Sequence, residues 1–280
     1  MGSTQTNSDI IPNPNSNETF NVIRCHKGSC RACGHDLVGE EPLLIRIDGK
    51  PYSTVMRTPG EEIFHAAGFC LTEGIVDDAD HFVTIGYCED MDRNVADISL
   101  QPTRREQVSS LLERRGFISQ TSCGICGKEL IEEMCQFLMP ITDKTTIGID
   151  EAIQTIDQLP HIQRLYKSTR GSHAVMLLDS QLKILSVAED VGRHNAFDKA
   201  IGKLLMDKQL TNASIGVLSS RISYEMIQKA ARARLSILLS ASRPTALAVS
   251  LGKSLNITLA CAARESELII FCGEERIKRK

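Results

Sequence analysis

The sequence lacks the features that mark nucleic-acid-binding and membrane proteins. It contains no tryptophan, and its 32 basic and 35 acidic residues leave a formal net charge of −3. Nothing in that balance suggests a surface that coats DNA. No apolar run is long enough to cross a bilayer, and residues 1–20 lack the apolar core of a signal peptide. We therefore expect a soluble, cytoplasmic protein with a disordered polar leader over residues 1–20.

Cysteine, in contrast, is abundant. The chain has 10 cysteines in 280 residues, and a chain of this length is not a small secreted disulfide scaffold. Four cysteines lie within apolar patterns and are interpreted as small core residues: Cys70, Cys135, Cys261 and Cys272. In a reducing compartment the clustered cysteines are better interpreted as reactive or metal-binding groups than as structural disulfides.

The most informative cluster is the pair Cys123 and Cys126, in the sequence CGIC followed by Gly127 and Lys128. An amphipathic helix is predicted to begin directly after it, over 129–138. A thiol at such a junction faces free backbone N–H groups, the positive end of the helix dipole and the Lys128 cation, all of which favour the thiolate. We infer sulfur chemistry at Cys123 with Cys126 as its neighbour. A buried pair or half of a metal site is the alternative.

A second cluster brings Cys25, Cys30, Cys33 and His35 close together in the sequence. These residues could supply three or four tetrahedral ligands for zinc. Zinc sites usually show two well-separated pairs of ligands, whereas this cluster is compressed. Three interpretations therefore stay open: zinc binding, a redox pair, and thiols without a function.

The first half of the chain predicts a smaller α+β domain over residues 21–140. Alternating apolar residues around an Asp-Gly turn predict a hairpin over 42–57. Thr58 to Glu61 has the form of a capping box with Pro59 at the first helical position, so a helix is expected to start there and end near Gly74. The further elements expected are strands at 82–88 and 95–100 and helices at 105–114 and 150–166.

The second half predicts an α/β domain over residues 141–280. A hairpin over 173–188 is followed by helices that alternate with short apolar strands. These elements are helices 195–207, 222–233 and 244–254 and strands 214–219, 235–240, 256–262 and 268–272. Short apolar runs between helices are typical of a sheet that is covered on both faces. The predicted fold class is therefore α/β, a mixed sheet with helices on both faces.

Three strand-to-helix junctions of this domain share a pattern of hydroxyls and arginines. The first carries Arg193 and His194, the second carries Ser219 and Arg221, and the third carries Arg243. Such junctions gather along the carboxyl edge of the strands, where helix N-termini present free N–H groups and arginine matches phosphate. Ser and Asn are also ordinary helix caps, and His194 could be a cap or packing residue rather than a ligand contact. The three junctions together favour a phosphate-bearing ligand.

The chain resembles the FdhD/NarQ family of formate dehydrogenase accessory proteins. The segments that carry the resemblance occur in the family's order: EPLLI at 41–45, GFCLTEGI at 68–75, SCGICGK at 122–128, DVGRHNAFDK at 190–199, RISYEM at 221–226 and PTALAV at 244–249. The resemblance implies a cytidine-deaminase-like α/β core with a smaller domain built from the first half. Zinc deaminases use His-x-Glu and Pro-Cys-x-x-Cys segments. Here Ser122 precedes the first cysteine and no His-x-Glu triplet occurs, so the resemblance implies the fold without that metal.

The resemblance also implies a function. In the family, the first cysteine of the Cys-x-x-Cys motif accepts sulfane sulfur from a cysteine desulfurase as a persulfide. The sulfur then passes to the molybdenum of a bis-molybdopterin guanine dinucleotide cofactor before insertion into formate dehydrogenase. Cys123 matches that position, and Cys126 could attack the persulfide or accept sulfur itself. The partners implied are a cysteine desulfurase, apo-formate dehydrogenase and the guanine-dinucleotide cofactor, and the protein is expected to be a homodimer.

A cofactor-contacting stretch of the family, similar to Phe-Ala-Arg-x-Gly-Arg, has a divergent counterpart near the C-terminus. The matching residues are Ala262, Ala263, Arg264, Glu265, Ser266 and Glu267. Arg264 is retained, whereas Glu267 stands where the family has a second arginine, and Arg243 is an additional cation that could compensate.

Two other classes of function stay open. A thiol–disulfide oxidoreductase would use reversible oxidation of Cys123 and Cys126 without needing the arginine-bearing junctions. A non-catalytic nucleotide-binding or chaperone module would tolerate replacement of Cys123.

Overall fold

The structure is a computed structural model that describes residues 16–87, 93–114, 138–263 and 267–279. The strands are β1 (Asn17–His26), β2 (Ser29–Val38), β3 (Glu41–Ile47), β4 (Lys50–Arg57), β5 (Phe82–Tyr87), β6 (Val95–Leu100), β7 (Ile147–Gly148), β8 (His173–Leu178), β9 (Ile184–Asp190), β10 (Ile215–Leu218), β11 (Ile237–Ser240), β12 (Thr258–Ala262), β13 (Leu268–Cys272) and β14 (Ile277–Lys278). The helices are α1 (Glu62–Thr72), α2 (Pro102–Arg114), α3 (Ile149–Ile162), α4 (Arg164–Thr169), α5 (Arg193–Met206), α6 (Tyr224–Arg232) and α7 (Ala246–Ser254). No helix in these ranges is long and apolar enough to cross a membrane.

The first half of the chain builds a four-stranded sheet in the order β4-β3-β6-β5. Leu43, Ile45 and Ile47 are buried while the residues between them are more exposed, as the alternating sequence of β3 requires. The hairpin predicted over 42–57 is confirmed by the antiparallel pairing of β3 with β4.

The second half builds a six-stranded mixed sheet in the order β13-β12-β11-β10-β8-β9. The central strands β10, β11 and β12 are parallel to one another, whereas β8 and β13 run antiparallel to the strands beside them. Alternate residues of each strand point to opposite faces, so two cores result. Val175 and Leu177 face the core that contains α5, while Ala174 and Met176 face the core covered by α3. The predicted mixed sheet with helices on both faces is confirmed.

Helices α1 and α5 cross where two glycines remove side-chain bulk. A Cβ atom added to Gly68 would collide with the backbone of Asp198, and one added to Gly202 would collide with the backbone of Phe64. The close approach places α1 against the second-half helix, and one core cluster accordingly contains Leu43 from the first sheet as well as residues of the second. The division into domains at residue 140 stays a prediction.

The predicted capping box at the start of α1 is wrong. The helix begins at Glu62, and Glu61 before it has a left-handed φ of 61° without a side-chain cap. The Thr58 hydroxyl instead accepts a hydrogen bond from Val191 N at 3.0 Å. Because a distant loop uses Thr58, the helix starts one turn later than its local sequence indicates.

The single helix predicted over 150–166 is in fact two helices, α3 and α4, that meet at Gln163. The carboxylate of Glu189 on β9 accepts hydrogen bonds from the amides of Leu165 and Tyr166, both at 2.9 Å. These amides lie in the first turn of α4, so a side chain from the sheet caps the second helix and separates it from the first.

The hairpin of β1 and β2 was not predicted. It forms a two-stranded sheet of its own, and most of its residues are exposed on both faces. Its first strand begins at Asn17, so residues 17–20 belong to a strand rather than to the disordered leader predicted for residues 1–20. The earlier part of that leader, residues 1–15, lies outside the described residues.

Candidate functional site at the carboxyl edge

The strand-to-helix junctions singled out in the sequence lie side by side in the structure. Leu218, at the end of β10, pairs with Ser240 at the end of β11, and Ser240 pairs with Cys261 near the end of β12. At the other side of β10, His173 at the start of β8 pairs with Asp190 at the end of β9. We call this side of the sheet the carboxyl edge; helices α5, α6 and α7 begin there.

A buried ion pair holds the first junction in place. The Asp190 carboxylate is fully buried and lies 2.7 Å from Lys199 Nζ. It also accepts hydrogen bonds from Thr58 N at 3.0 Å, Gly192 N at 2.8 Å and Asn195 Nδ2 at 2.9 Å. Much of the DVGRHNAFDK segment therefore serves to fix the loop before α5 against the end of β4.

A second buried pair fixes the body of α5. Lys229 Nζ of α6 donates to both carboxylate oxygens of Asp198, at 2.7 and 2.8 Å, and the Thr72 hydroxyl of α1 donates to the same carboxylate at 2.8 Å. All three side chains are buried. These hydrogen bonds hold helices α1, α5 and α6 together beneath the carboxyl edge.

The side chains of Arg193 and His194 take no part in either of these buried ion pairs. They occupy the first turn of α5 and are part-exposed. Arg193 Nε is buried and has no hydrogen-bond partner among the described residues. His194 Nε2 lies 2.6 Å from Glu225 Oε2 in the first turn of α6. The close approach of the His194 imidazole lowers the pKa of Glu225, burial opposes that change, and the Arg193 charge adds to it.

His173 adds a further titratable group to this corner of the edge. Burial lowers the pKa of this half-buried imidazole, and the positive charges of Arg193 and His194 lower it further while Asp190 opposes the change. The neutral form of the His173 imidazole is therefore favoured.

The second junction contains two serines with different roles. The Ser219 hydroxyl accepts a hydrogen bond from Ala174 N at 2.9 Å and so ties β10 to β8, while its own proton is not used in that bond. Ser223 is the N-cap residue of α6, yet its hydroxyl makes no capping bond and is buried without a partner among the described residues. Arg221 between them is exposed. An unused N-cap hydroxyl leaves the first amides of α6 to other acceptors.

The hydroxyls of the third junction are mostly committed to structure. Ser240 Oγ donates to Ser220 O at 2.6 Å and accepts from Ser242 N at 2.9 Å. Thr245 caps α7 by accepting a hydrogen bond from Ala248 N at 3.2 Å. Arg243 is exposed, so it is the group of this junction that could contact a ligand.

The divergent C-terminal stretch begins at the same edge. Ala262 ends β12 and pairs with Leu268, and Ala263 N donates to Glu267 O at 2.7 Å. Glu267 is exposed. Arg264, Glu265 and Ser266 lie outside the described residues, so the predicted contact of Arg264 with the cofactor stays a prediction.

The carboxyl edge carries an arginine at each of three helix starts. Three arginines, Arg193, Arg221 and Arg243, stand where α5, α6 and α7 begin. Helix N-termini with arginines beside them bind phosphate groups through N–H donors and charge. No cluster of three metal-ligating side chains occurs in the described ranges.

A family model described as FdhD/NarQ matches residues 38–278. The chain belongs to the FdhD/NarQ family. The sulfur carrier protein FdhD of Streptomyces avermitilis is 33% identical over 270 residues, which cover 93% of this chain and 95% of that protein. Its counterpart in Xanthomonas euvesicatoria is 34% identical over 257 residues and covers 91% of each chain.

A solved structure supports the fold assignment. The crystal structure, described as that of a formate dehydrogenase accessory protein from Desulfotalea psychrophila, superposes with a TM-score of 0.73 and 21% identity. The match covers 94% of this chain and 99% of the other. At that identity the likeness concerns the fold.

Cys123 and Cys126 of this FdhD/NarQ protein lie outside the described residues, as does Cys135. The other core cysteines behave as predicted, since Cys70, Cys261 and Cys272 are buried. Burial raises the pKa of Cys261 to about 12 and raises the pKa of Cys70 and Cys272 as well. These three thiols are therefore poor nucleophiles.

The N-terminal cysteine cluster precedes the residues matched by the family model. Cys25 and Cys30 are directly opposite on β1 and β2 and are joined in a disulfide, contrary to the expectation of free clustered thiols. Cys33 and His35 share one face of β2, and Cys30 points to the other. The described hairpin does not bring the four proposed ligands together, and zinc binding there stays a prediction.

Three residues of the edge were missed in the sequence. Ser223 and Glu225 lie in the RISYEM segment, but a Ser before a helix normally signals a cap, and only the structure places its hydroxyl out of reach of the helix. His173 is predicted as the start of a strand. Its partner across the hairpin, Asp190, was the available signal, because a polar pair at the end of two strands opens onto the same edge.

Proposed function

We propose that this FdhD/NarQ protein is a sulfur carrier for the maturation of formate dehydrogenase. It takes sulfane sulfur on Cys123 as a persulfide and delivers it to a molybdenum cofactor that carries guanine dinucleotides. Cofactor binding is supported mainly by the Nε atom of Arg193, which is buried and has no hydrogen-bond partner among the described residues. It lies in the first turn of α5 beside the N-terminus of α6. A buried guanidinium N–H without a partner is costly unless a ligand accepts from it.

The residues of the edge fit the phosphates of such a cofactor. Arg193 and Arg221 supply charged donors, and Ser219 and Ser223 have hydroxyl protons that no described hydrogen bond uses. The free backbone N–H groups at the start of α6 lie at the positive end of its helix dipole, which also favours a phosphate there. His194 would contact the ligand from the adjacent turn of α5.

The residues from Ala262 to Glu267 would form the neighbouring wall of this site. Alanine side chains donate no hydrogen bonds, so Ala262 and Ala263 would contact the cofactor through backbone or apolar surface. Glu267 would repel a phosphate, and the exposed cation of Arg243 would offset that repulsion.

The sulfur chemistry is proposed for Cys123 in two steps. The Cys123 thiolate attacks the terminal sulfur of a persulfide on a cysteine desulfurase, and the desulfurase thiolate leaves. The new persulfide ionises more readily than a thiol and carries the sulfur to the cofactor substrate. If the Cys126 thiolate then attacks Cys123 Sγ, sulfide leaves to the acceptor and a disulfide remains, which a reducing thiol must open before the next cycle.

The remaining parts of the proposal follow from family membership. They are apo-formate dehydrogenase as the partner that receives the cofactor, a homodimeric state, a cytoplasmic location and a cytidine-deaminase-like core. The last is supported by parallel strands β10 to β12 flanked by antiparallel strands, with helices on both faces.

Sulfur loading tests the chemistry. The protein is incubated with a cysteine desulfurase and cysteine, and its mass is measured before and after a reducing thiol is added. We expect one reducible sulfur atom on Cys123, absent in Cys123→Ala and retained in Cys126→Ala. No adduct on Cys123 would refute the carrier role, and reversible Cys123–Cys126 oxidation alone would identify a thiol–disulfide oxidoreductase.

Nucleotide binding tests the edge separately. Arg193→Ala and Arg221→Ala should each weaken the binding of GDP by about tenfold or more, because each removes a charge-assisted hydrogen bond. Raising the salt concentration should weaken wild-type binding more than that of either variant. The matched control is Lys253→Ala, which removes an exposed cation from the last turn of α7 at the opposite side of the sheet. Unchanged affinity in both arginine variants would refute a phosphate site at the carboxyl edge.

A further inference from the structure

The hairpin of β1 and β2 carries a second thiol site, separate from the Cys-x-x-Cys motif. Cys25 and Cys30 are directly opposite, with their Cα atoms 4.1 Å apart, and one residue pair, His26 with Ser29, separates them from the turn at the tip. Both residues are exposed. The family model begins at residue 38, so this pair lies outside the segment that it matches.

The charged residues nearest to the pair along the chain are all basic. Arg24 and Arg31 form the adjacent cross-strand pair, with side chains on the other face of the hairpin, and Lys27 stands in the turn. The sequence contains no Asp or Glu between Glu18 and Asp36. Nearby cations stabilise a thiolate and so make a cysteine a better leaving group and a better partner in thiol–disulfide exchange.

The hairpin depends on the cross-link more than a strand within a large sheet would. It forms a sheet of only two strands, and such hairpins are marginally stable in water. Its turn holds Lys27 at a left-handed φ of 45° before Gly28 at 84°, a conformation for which Asn or Asp would be the preferred first residue. Breaking the disulfide should therefore loosen the tip, while the base stays held where Val38 lies against Gly171.

We propose that Cys25 and Cys30 form a redox-active site that exchanges with a dithiol protein of the thioredoxin class. A thiolate of that protein attacks one hairpin sulfur, the other leaves as a thiolate, and a mixed disulfide forms. The second thiol of the protein then attacks the mixed disulfide and releases the hairpin. Two electrons and two protons reach Cys25 and Cys30, and the thioredoxin-class protein becomes the disulfide.

The experiment uses the full-length protein in glutathione buffers that range from fully reduced to fully oxidised. Free thiols are alkylated and the chain is digested with trypsin, which cleaves after Arg24, Lys27 and Arg31. Cys25 and Cys30 then lie on separate short peptides that stay joined only if the disulfide is present. Cys33 falls on a third peptide and is the internal control.

We expect both peptides to change together from cross-linked to singly alkylated in one two-electron transition, with the Cys33 peptide joined to neither of them in any buffer. Thioredoxin with its reductase and NADPH should drive the same change, and Cys33→Ser should leave it unaltered. Reduction should also raise amide hydrogen exchange in residues 23–32 at the tip, and neither at the base of the hairpin beside Val38 nor in the β3–β4 hairpin. A cross-link that survives thioredoxin, or one that never forms in oxidised glutathione, would overturn the proposal. So would equimolar zinc that protects both thiols from alkylation.

Discussion

Replacing Asp190 by asparagine tests how the carboxyl edge is held. Asp190 is 0% exposed and Lys199 is 2% exposed, so the variant leaves a buried ammonium without its counter-charge. The new amide would also point N–H donors at Thr58 N or Lys199 Nζ, which are donors themselves. Removing one partner of a buried ion pair typically costs about 3–5 kcal/mol of unfolding free energy.

That loss should appear in thermal and urea unfolding. For a chain of this size, roughly 2–4 °C of Tm per kcal/mol gives a fall of roughly 6–20 °C for Asp190→Asn. Adding Lys199→Met removes the stranded charge and should restore part of the loss. The matched control is Lys208→Ala, which breaks an exposed pair with Asp80 and should leave Tm unchanged. A single variant as stable as the control, or a double variant no better than the single, would refute the reasoning.

Three further variants test other parts of the structure. His65 is fully buried and burial lowers its pKa well below the usual value, so the unfolded chain gains a proton that the folded chain refuses. The free energy of unfolding of the wild type, measured with urea, should therefore fall as the pH drops below about 6.5. The fall should be smaller in His65→Leu and as large as in the wild type in the control His161→Gln. Gly202→Ala should lower the free energy of unfolding by about 1–3 kcal/mol or more, because it overpacks the α1–α5 crossing. Gly86→Ala, with open space around it, should leave that free energy nearly unchanged. Equal Tm values for the two variants would contradict this. Glu225→Gln removes a negative charge from the edge and should strengthen GDP binding severalfold in calorimetry, and weaker binding would contradict the assignment of the edge.

The placement of the site could be predicted from the sequence because parallel strands bring their carboxyl ends together. Arg193, Ser219 and Arg221 each follow a short apolar run, so their meeting at one edge follows from local patterns. Their separate roles could not be predicted. Asp190 and Arg193 belong to the same motif, yet Asp190 is buried and accepts a hydrogen bond from the distant Thr58, whereas Arg193 Nε has no hydrogen-bond partner in the described part of the chain.

Two wrong predictions of helix boundaries share a physical origin in contacts between distant parts of the chain. Thr58 would cap α1 if its hydroxyl were not used by Val191, and α3 would continue through Gln163 if Glu189 did not cap α4. The β1–β2 hairpin escaped prediction for a different reason. Because both of its faces are largely exposed, it has little of the alternation of apolar and polar residues on which strand prediction rests.

The most direct test of the account follows isotopically labelled sulfur from loading to delivery. Wild-type protein and the Arg193→Ala variant are loaded at Cys123, mixed with the guanine-dinucleotide molybdenum cofactor, and the label in each fraction is measured with time. Both proteins should load equally, but transfer from the variant should be at least tenfold slower when the cofactor is subsaturating. Equal transfer rates, or a variant that cannot be loaded although it is folded, would contradict a sulfur carrier that recognises its cargo at the carboxyl edge.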